Sequence, residues 1–149
     1  GFIGYHLSQR LLAEGHEVCG LDNLNEYYDP SLKKARLSKL EHPAFLFHQF
    51  DLQENNRLEK LFAQFNPEIV VHLAAQAGVR YSLENPRAYI ESNVDGFFNI
   101  IEASKQSSVE TFLFASSSSV YGNSEDTPFS TEDRVDYPVS LYAATKQSN

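Results

Sequence analysis

Methionine and tryptophan are absent from the 149 residues, and cysteine occurs once. A translation product starts with Met, so the missing residue predicts a chain that is processed or cut. No secretory signal, with its charged start and apolar stretch, is present, which favours a cut. A lone cysteine, Cys19, excludes an internal disulfide framework and cannot by itself supply a zinc cluster. Its simplest role is a small apolar residue in a strand, and the cytoplasm is the compartment it implies. Positive charge is scarce as well: 12 Lys and Arg stand against 20 Asp and Glu, a net charge of −8. The basic stripe of a nucleic-acid binder is therefore missing, and no nucleic-acid partner is expected. No apolar run approaches the roughly 18 residues of a membrane span. Five histidines are scattered without metal-ligand spacing, so no metal is expected.

What the chain does have is enough to build a core, with 42% hydrophobic and 13% aromatic residues. Four short apolar runs rich in β-branched and aromatic residues read as strands: EVCGL at 17–21, AFLFHQF at 44–50, EIVVHLA at 68–74 and TFLFASS at 111–117. Helical periodicity lies between them. One helix carries Ile3, Leu7, Leu11 and Leu12 on a face, a second covers Ser31 to Leu40, and a third holds Leu58, Leu61, Phe62 and Phe65. A longer one follows Pro86 with Ile90, Val94, Phe97, Phe98 and Ile101. Strands alternating with helices predict an α/β fold, a doubly wound parallel sheet of Rossmann type with four adjacent strands. No repeat or interdomain linker is visible. The polar, turn-rich stretch 122–140 is long enough to be functional. A last helix starts near Ser140 and stops at Asn149, which reads as a second sign of a cut.

GFIGYHL at the start resembles the end of a phosphate-cradling turn. In a dinucleotide-binding unit a strand enters such a turn, and the next helix presents its free N–H groups to the pyrophosphate. Gly1 and Gly4 fit the last two glycines of G-x-x-G-x-x-G, although simple helix packing also explains two glycines so placed. Asp22 closes the run EVCGLD about 20 residues later, where an acid would accept from the adenosine ribose and repel a 2′-phosphate, favouring NAD over NADP. Asp51, in FDL, holds the same place after the next strand and suits either an adenine contact or a turn. Tyr142 and Lys146 in YAATK share a helix face. A tyrosine ionises only near pH 10 when unperturbed, so a nearby ammonium is what would make it useful as a base. The pair suits proton abstraction from a sugar or alcohol hydroxyl coupled to hydride transfer. Before it stands a strand ending in the hydroxyl cluster Ser116 to Ser119, from which a serine could hold the substrate oxygen.

With these pieces in order, the whole chain resembles the extended short-chain dehydrogenase/reductase family, specifically its nucleotide-sugar epimerases and dehydratases. The matching stretches are GFIG, LDNLN from 21, FDL at 50–52, HLAA at 72–75, SNVDGFFNIIEA, SSSSVYG at 116–122 and YAATK at 142–146. The resemblance implies that residues 1–149 are an NAD-binding domain lacking its first strand and first motif glycine, with a substrate-binding portion absent after it. It implies Tyr142 as the base, Lys146 as its supporting lysine and nicotinamide-ribose contact, and Ser117 as the catalytic hydroxyl. Gly1, Phe2, Ile3 and Gly4 would lie along the pyrophosphate, and Asp22 and Asn23 would meet the adenosine ribose. Asp51 and Leu52 would flank adenine, while Leu73, Ala74 and Ala75 would border the middle of the cofactor with Asn93 nearby. The family also implies a homodimer, formed through the helix after Pro86 and the one near Ser140.

Dehydratases of this family carry an Asp-Glu pair directly before VYG, where this chain has Ser118 and Ser119. Epimerisation needs one proton shuttle and a reversible hydride transfer, which is what remains. DNLNEYYDPSLKKARL and HLAAQAGVRYSLENP look most like the UDP-glucuronate 4-epimerases of capsule biosynthesis, which convert UDP-glucuronate to UDP-galacturonate through a 4-keto sugar. On that resemblance Arg80, Ser117, Ser118 and Tyr142 would meet the UDP-sugar, Arg80 by pairing its fork with the sugar carboxylate; a surface arginine is the simpler alternative. An epimerase of another sugar such as UDP-glucose, and a non-catalytic NAD-binding module, are the competing readings. Isolated as residues 1–149, the chain is expected to be inactive and unstable.

Overall fold

The computed structural model describes residues 1–125 and 127–149; Asp126, inside the stretch 122–140, lies outside the described residues. Local signals set most element boundaries. Helix α1 (Phe2–Ala13) starts directly at Gly1, and strand β1 (Val18–Leu21) follows. Helix α2 (Pro30–Leu37) opens with proline at its first position, where the missing N–H costs nothing, behind an Asp29 side chain that accepts from the Ser31 amide at 2.8 Å. Strand β2 (Phe45–His48) leads to α3 (Asn55–Phe65), which ends on Asn66 in the left-handed region at φ 48°. Strand β3 (Ile69–His72) precedes two four-residue turns of helix, α4 (Tyr81–Glu84) and α5 (Pro86–Tyr89), the second capped by Asn85. A π-turn over Ile90–Asp95 then joins α5 to α6 (Gly96–Lys105). Strand β4 (Thr111–Phe114), a 3₁₀ turn at Ser118–Tyr121 and α7 (Leu141–Ser148), capped by the Ser140 hydroxyl, complete the chain.

All strand pairing is parallel, but it is divided. β1 pairs with β2 in the register Val18 with Phe45 through Leu21 with His48, and β3 pairs with β4 from Ile69 with Thr111 to His72 with Phe114. Among the described residues no ladder joins the two pairs, so the expected run of four adjacent strands is instead two ribbons of two. A parallel ladder needs a neighbour within about 4.8 Å, and packing holds the ribbons together without it. One apolar cluster draws on both: Leu58, Leu61 and Phe62 of α3 and Ile100 and Ala103 of α6 pack with Val70, Phe50 and Leu52, while Cys19, Leu21 and Phe112 border it. Leu58 is fully buried here, and truncating such a residue to Ala costs about 2–5 kcal/mol.

The first helix departs from its expected face. Leu12, near its end, is buried, yet Ile3 and Phe2 in its first turn are each 63% exposed. Cys19 is a free thiol, half-buried, and burial pushes its pKa up to about 11, as befits an inert strand residue.

Candidate active site

Residues just beyond the carboxyl ends of all four strands meet at one edge of the molecule. After β1, Asp22 Oδ1 accepts from the Leu24 amide at 2.8 Å and from Lys33 Nζ at 3.3 Å, while Oδ2 faces the Gly1 nitrogen at 3.3 Å. Burial opposes the charge on Asp22, the Leu24 amide and Lys33 favour it, and the net effect holds the carboxyl below its usual range. Its neighbour Asn23 donates to Asp51 Oδ2, beyond β2, at 2.7 Å. Asp51 is also a turn former, since its Oδ1 accepts from the Gln53 amide at 3.1 Å. Leu52 is buried beside Gly96, where an added Cβ would come within 3.2 Å of the leucine.

The first turn of α1 bridges the two ribbons at this edge. Gly1 reaches Asp22 after β1, and Gly4 lies 3.9 Å, measured from where a Cβ would stand, from Leu73 Cδ1 after β3. A Cβ at Gly1 would meet nothing within 4 Å, so the open side of that glycine faces away from the chain's own atoms. The free N–H groups and positive end of a 12-residue helix therefore look outward beside an ionised aspartate. That donor set fits a diphosphate joined to a ribose diol. Ala74 and Ala75 continue the edge and are exposed.

Beyond β4 the chain places the hydroxyl, the phenol and the ammonium. Ser117 caps the 3₁₀ turn, its Oγ accepting from the Ser119 amide at 3.2 Å, which leaves its own O–H free to donate. Helix α7 packs against this turn and carries Tyr142, half-buried, and Lys146, which is 5% exposed. Lys146 Nζ donates to Ala115 O at 2.9 Å and to Asn149 Oδ1 at 3.4 Å. An ammonium has three donors, so one remains for a further acceptor. Burial lowers the pKa of Lys146.

Asn93, in the π-turn and 1% exposed, locks this corner. Its Oδ1 accepts from the Gln76 amide at 2.8 Å, and its Nδ2 donates to Gln76 O at 3.0 Å and to Thr145 Oγ1 at 3.1 Å. It thus ties the loop after β3 to α7. π-Turns are rare, and many occur at functional sites. Arg80 is exposed at the start of α4, with no ion pair or side-chain hydrogen bond among the described residues, and Ser118, next to Ser117, is exposed on the 3₁₀ turn. Sequence reasoning missed Lys33, Gln76, Tyr89 and Thr145. Thr145 had a signal, a hydroxyl three residues after Tyr142 on the same helix.

Comparison with known proteins gives a family and several relatives. The family model described as GDP-mannose 4,6 dehydratase matches residues 1–149. Protein CapI of Staphylococcus aureus is 52% identical over 149 residues, covering 100% of this chain and 45% of that protein. UDP-glucuronate 4-epimerase 1 of Arabidopsis thaliana is 50% identical, over 99% of this chain and 35% of its own length. Among solved structures, UDP-glucuronic acid 4-epimerase from Bacillus cereus, in complex with UDP-glucuronic acid and NAD, superposes with a TM-score of 0.88 at 34% identity. That match covers 99% of this chain and 46% of the other. UDP-glucose 4-epimerase from Thermus thermophilus, in complex with NAD, gives 0.82 at 35% identity, over 99% and 45%. The chain therefore spans less than half the length of these relatives, and shares with the solved structures a parallel α/β fold of Rossmann type.

Proposed function

The chain belongs to the GDP-mannose 4,6 dehydratase family, and from that premise we propose that it is the NAD-binding domain of a UDP-sugar 4-epimerase whose substrate is UDP-glucuronate. The observation that carries the reading is the convergence of Ser117, Tyr142 and Lys146 beyond β4 with Gly1, Gly4 and Asp22 on the same edge. Relatives 48–50% identical bear the name UDP-glucuronate 4-epimerase. The dehydratase chemistry in the family's name does not extend to this chain, because Ser118 and Ser119 stand where that chemistry needs an acid pair.

Each residue has a distinct task. The α1 N-terminus receives the pyrophosphate, Asp22 takes the adenosine ribose, and the spare donor of Lys146 takes the nicotinamide ribose. NAD, when bound, supplies a reversible acceptor for the C4 hydride. Tyr142 removes the C4 hydroxyl proton and returns it. Ser117 donates to the same C4 oxygen and keeps it against the phenol. The sugar passes through a 4-keto form and turns its other face before it is reduced. A homodimer and a cytoplasmic location belong to the same proposal. Phe98 and Ile101, on the face of α6 away from the core, are 62% and 36% exposed and suit the first. The free thiol of Cys19 suits the second. No helix among the described residues is long and apolar enough to cross a membrane.

The test compares Tyr142→Phe and Lys146→Ala in the complete protein, with NAD affinity and epimerisation of UDP-glucuronate and UDP-glucose measured side by side. Tyr142→Phe should bind NAD normally and lose about 10²–10⁴-fold in turnover. Lys146→Ala should lose NAD affinity as well. Normal turnover in Tyr142→Phe removes the phenol from the mechanism, and faster turnover of UDP-glucose by the unaltered protein moves the substrate to the neutral sugar.

A further inference from the structure

Tyr89 is fully buried at the end of α5, an unusual place for a phenol. Its O–H donates to Ala77 O at 2.8 Å and also reaches Gly78 O. Those bonds fix how the ring is turned. The ring meets Tyr142 edge to face, with centroids 6.0 Å apart and planes at 76°, and Tyr81 flanks it at 6.3 Å. The carbonyls that hold it are themselves pinned. Gly78 has φ +97°, and a Cβ there would come within 2.6 Å of Tyr27 Oη, so the phenol of Tyr27 covers one side of the loop while Tyr89 covers another.

Tyr142 needs such a support. It sits in the first turn of an eight-residue helix, half-exposed, and no side-chain hydrogen bond from the described residues reaches its own ring. We propose that Tyr89 is a positioning residue for Tyr142, a buried post braced on the loop after β3 that fixes where the reacting phenol stands. The inference rests on the reading of Tyr142 as the proton shuttle. An edge-to-face pair of this kind contributes about 0.5–1.5 kcal/mol beyond its buried area. Its larger effect is geometric, since a misplacement of about 1 Å at a reacting group can slow turnover by about 10²-fold. Phe would fill the same space if packing were all that mattered, so the single hydroxyl held between the Ala77 and Gly78 carbonyls marks the position as one where ring orientation counts.

A double-mutant cycle in the complete protein tests this, with kcat, KM, NAD affinity and thermal melting read for each variant. Tyr89→Leu should lower kcat about 10- to 100-fold with NAD affinity within about twofold. Tyr89→Phe, which keeps the ring and loses the brace, should fall between Leu and the unaltered protein. Combined with Tyr142→Phe, either change should slow the residual rate no further, because Tyr89 acts through the phenol that is already gone. Should Tyr89→Leu fail to fold, Tyr89→Phe closes the same cycle. The proposal is overturned by near-normal kcat in Tyr89→Leu, by losses that multiply in the double variants, or by NAD affinity and kcat falling together. Normal turnover in Tyr142→Phe would end the proton-shuttle reading itself, whereas failure confined to the Tyr89 cycle leaves that reading standing.

Discussion

Acid should weaken this fold through one imidazole. His72 ends β3 with 4% of its surface exposed, stacked on Phe112 at 6.3 Å and close to Phe97 at 5.4 Å. Burial, and then the charge of Lys146, bring its pKa down from 6.5 to about 4. The folded protein therefore keeps His72 neutral down to about pH 4, while the unfolded chain takes up the proton below about pH 6.5. More protons bind the unfolded state in that window, so stability rises with pH and is lost as pH falls through it. At about 1.36 kcal/mol per pH unit, the loss between pH 6.5 and pH 4 approaches about 3 kcal/mol. A domain of this size shifts its melting temperature by roughly 2–4 °C per kcal/mol, which makes about 6–12 °C. Carboxylates titrate in the same range, so the measurement is the difference between the complete protein and its His72→Leu variant, melted in parallel from pH 7 to pH 4. The unaltered protein should lose about 3 kcal/mol more than the variant. Histidine NMR should show the ring neutral at pH 5, and Lys146→Met should move its titration upward. Equal losses in the two proteins, or a ring that protonates near pH 6.5, would refute the argument.

Two further substitutions follow from the site's supports. Asn93→Ala strips partners from the buried amide and carbonyl of Gln76, at about 1–3 kcal/mol for each unsatisfied group, and should loosen α7 from the loop after β3; hydrogen exchange at Gln76 and in α7 reads both effects. Gly122→Ala should destabilise by more than about 1 kcal/mol, because φ is +62° and the new Cβ would stand 2.4 Å from Tyr137 O; denaturant unfolding checks it, and an unchanged midpoint counts against the described path of the 122–140 stretch.

Much of this was legible because its signals are local. Asp29 before Pro30, Asn85 before Pro86 and Ser140 before α7 each carry a helix start in two or three residues. The four apolar runs became strands for the same reason; Asp22 and the pair Tyr142 and Lys146 are proposed from spacing along the chain, and Ser117 from the family resemblance. Pairing was less legible. Alternation and β-branching say that a run is a strand without saying which neighbour it meets, so two ribbons were not distinguishable from four adjacent strands. Contacts across long separations were hidden too. Nothing near Lys33 announces Asp22, and the phenol of Tyr89 looks like one more aromatic in a helix until the loop at Ala77 is folded against it.

The π-turn has a consequence for the phase of the helix it interrupts. Tyr89, Asn93, Phe97 and Ile100 are spaced by four, four and three residues, which in an unbroken α-helix is a single stripe. In this fold α5 and the π-turn pack on α7, while α6 packs on α3. A π-turn inserts one residue into the winding, and one residue is about 100° of rotation. The stripe is thereby cut into two sectors aimed at different neighbours, Tyr89 and Asn93 toward α7, Phe97 and Ile100 toward the apolar interior. Because the extra residue is taken up within the turn, excising a single residue between 90 and 95 should close it to an ordinary α-helical turn and leave both facings as they are, at the expense of the widened backbone that carries Asn93.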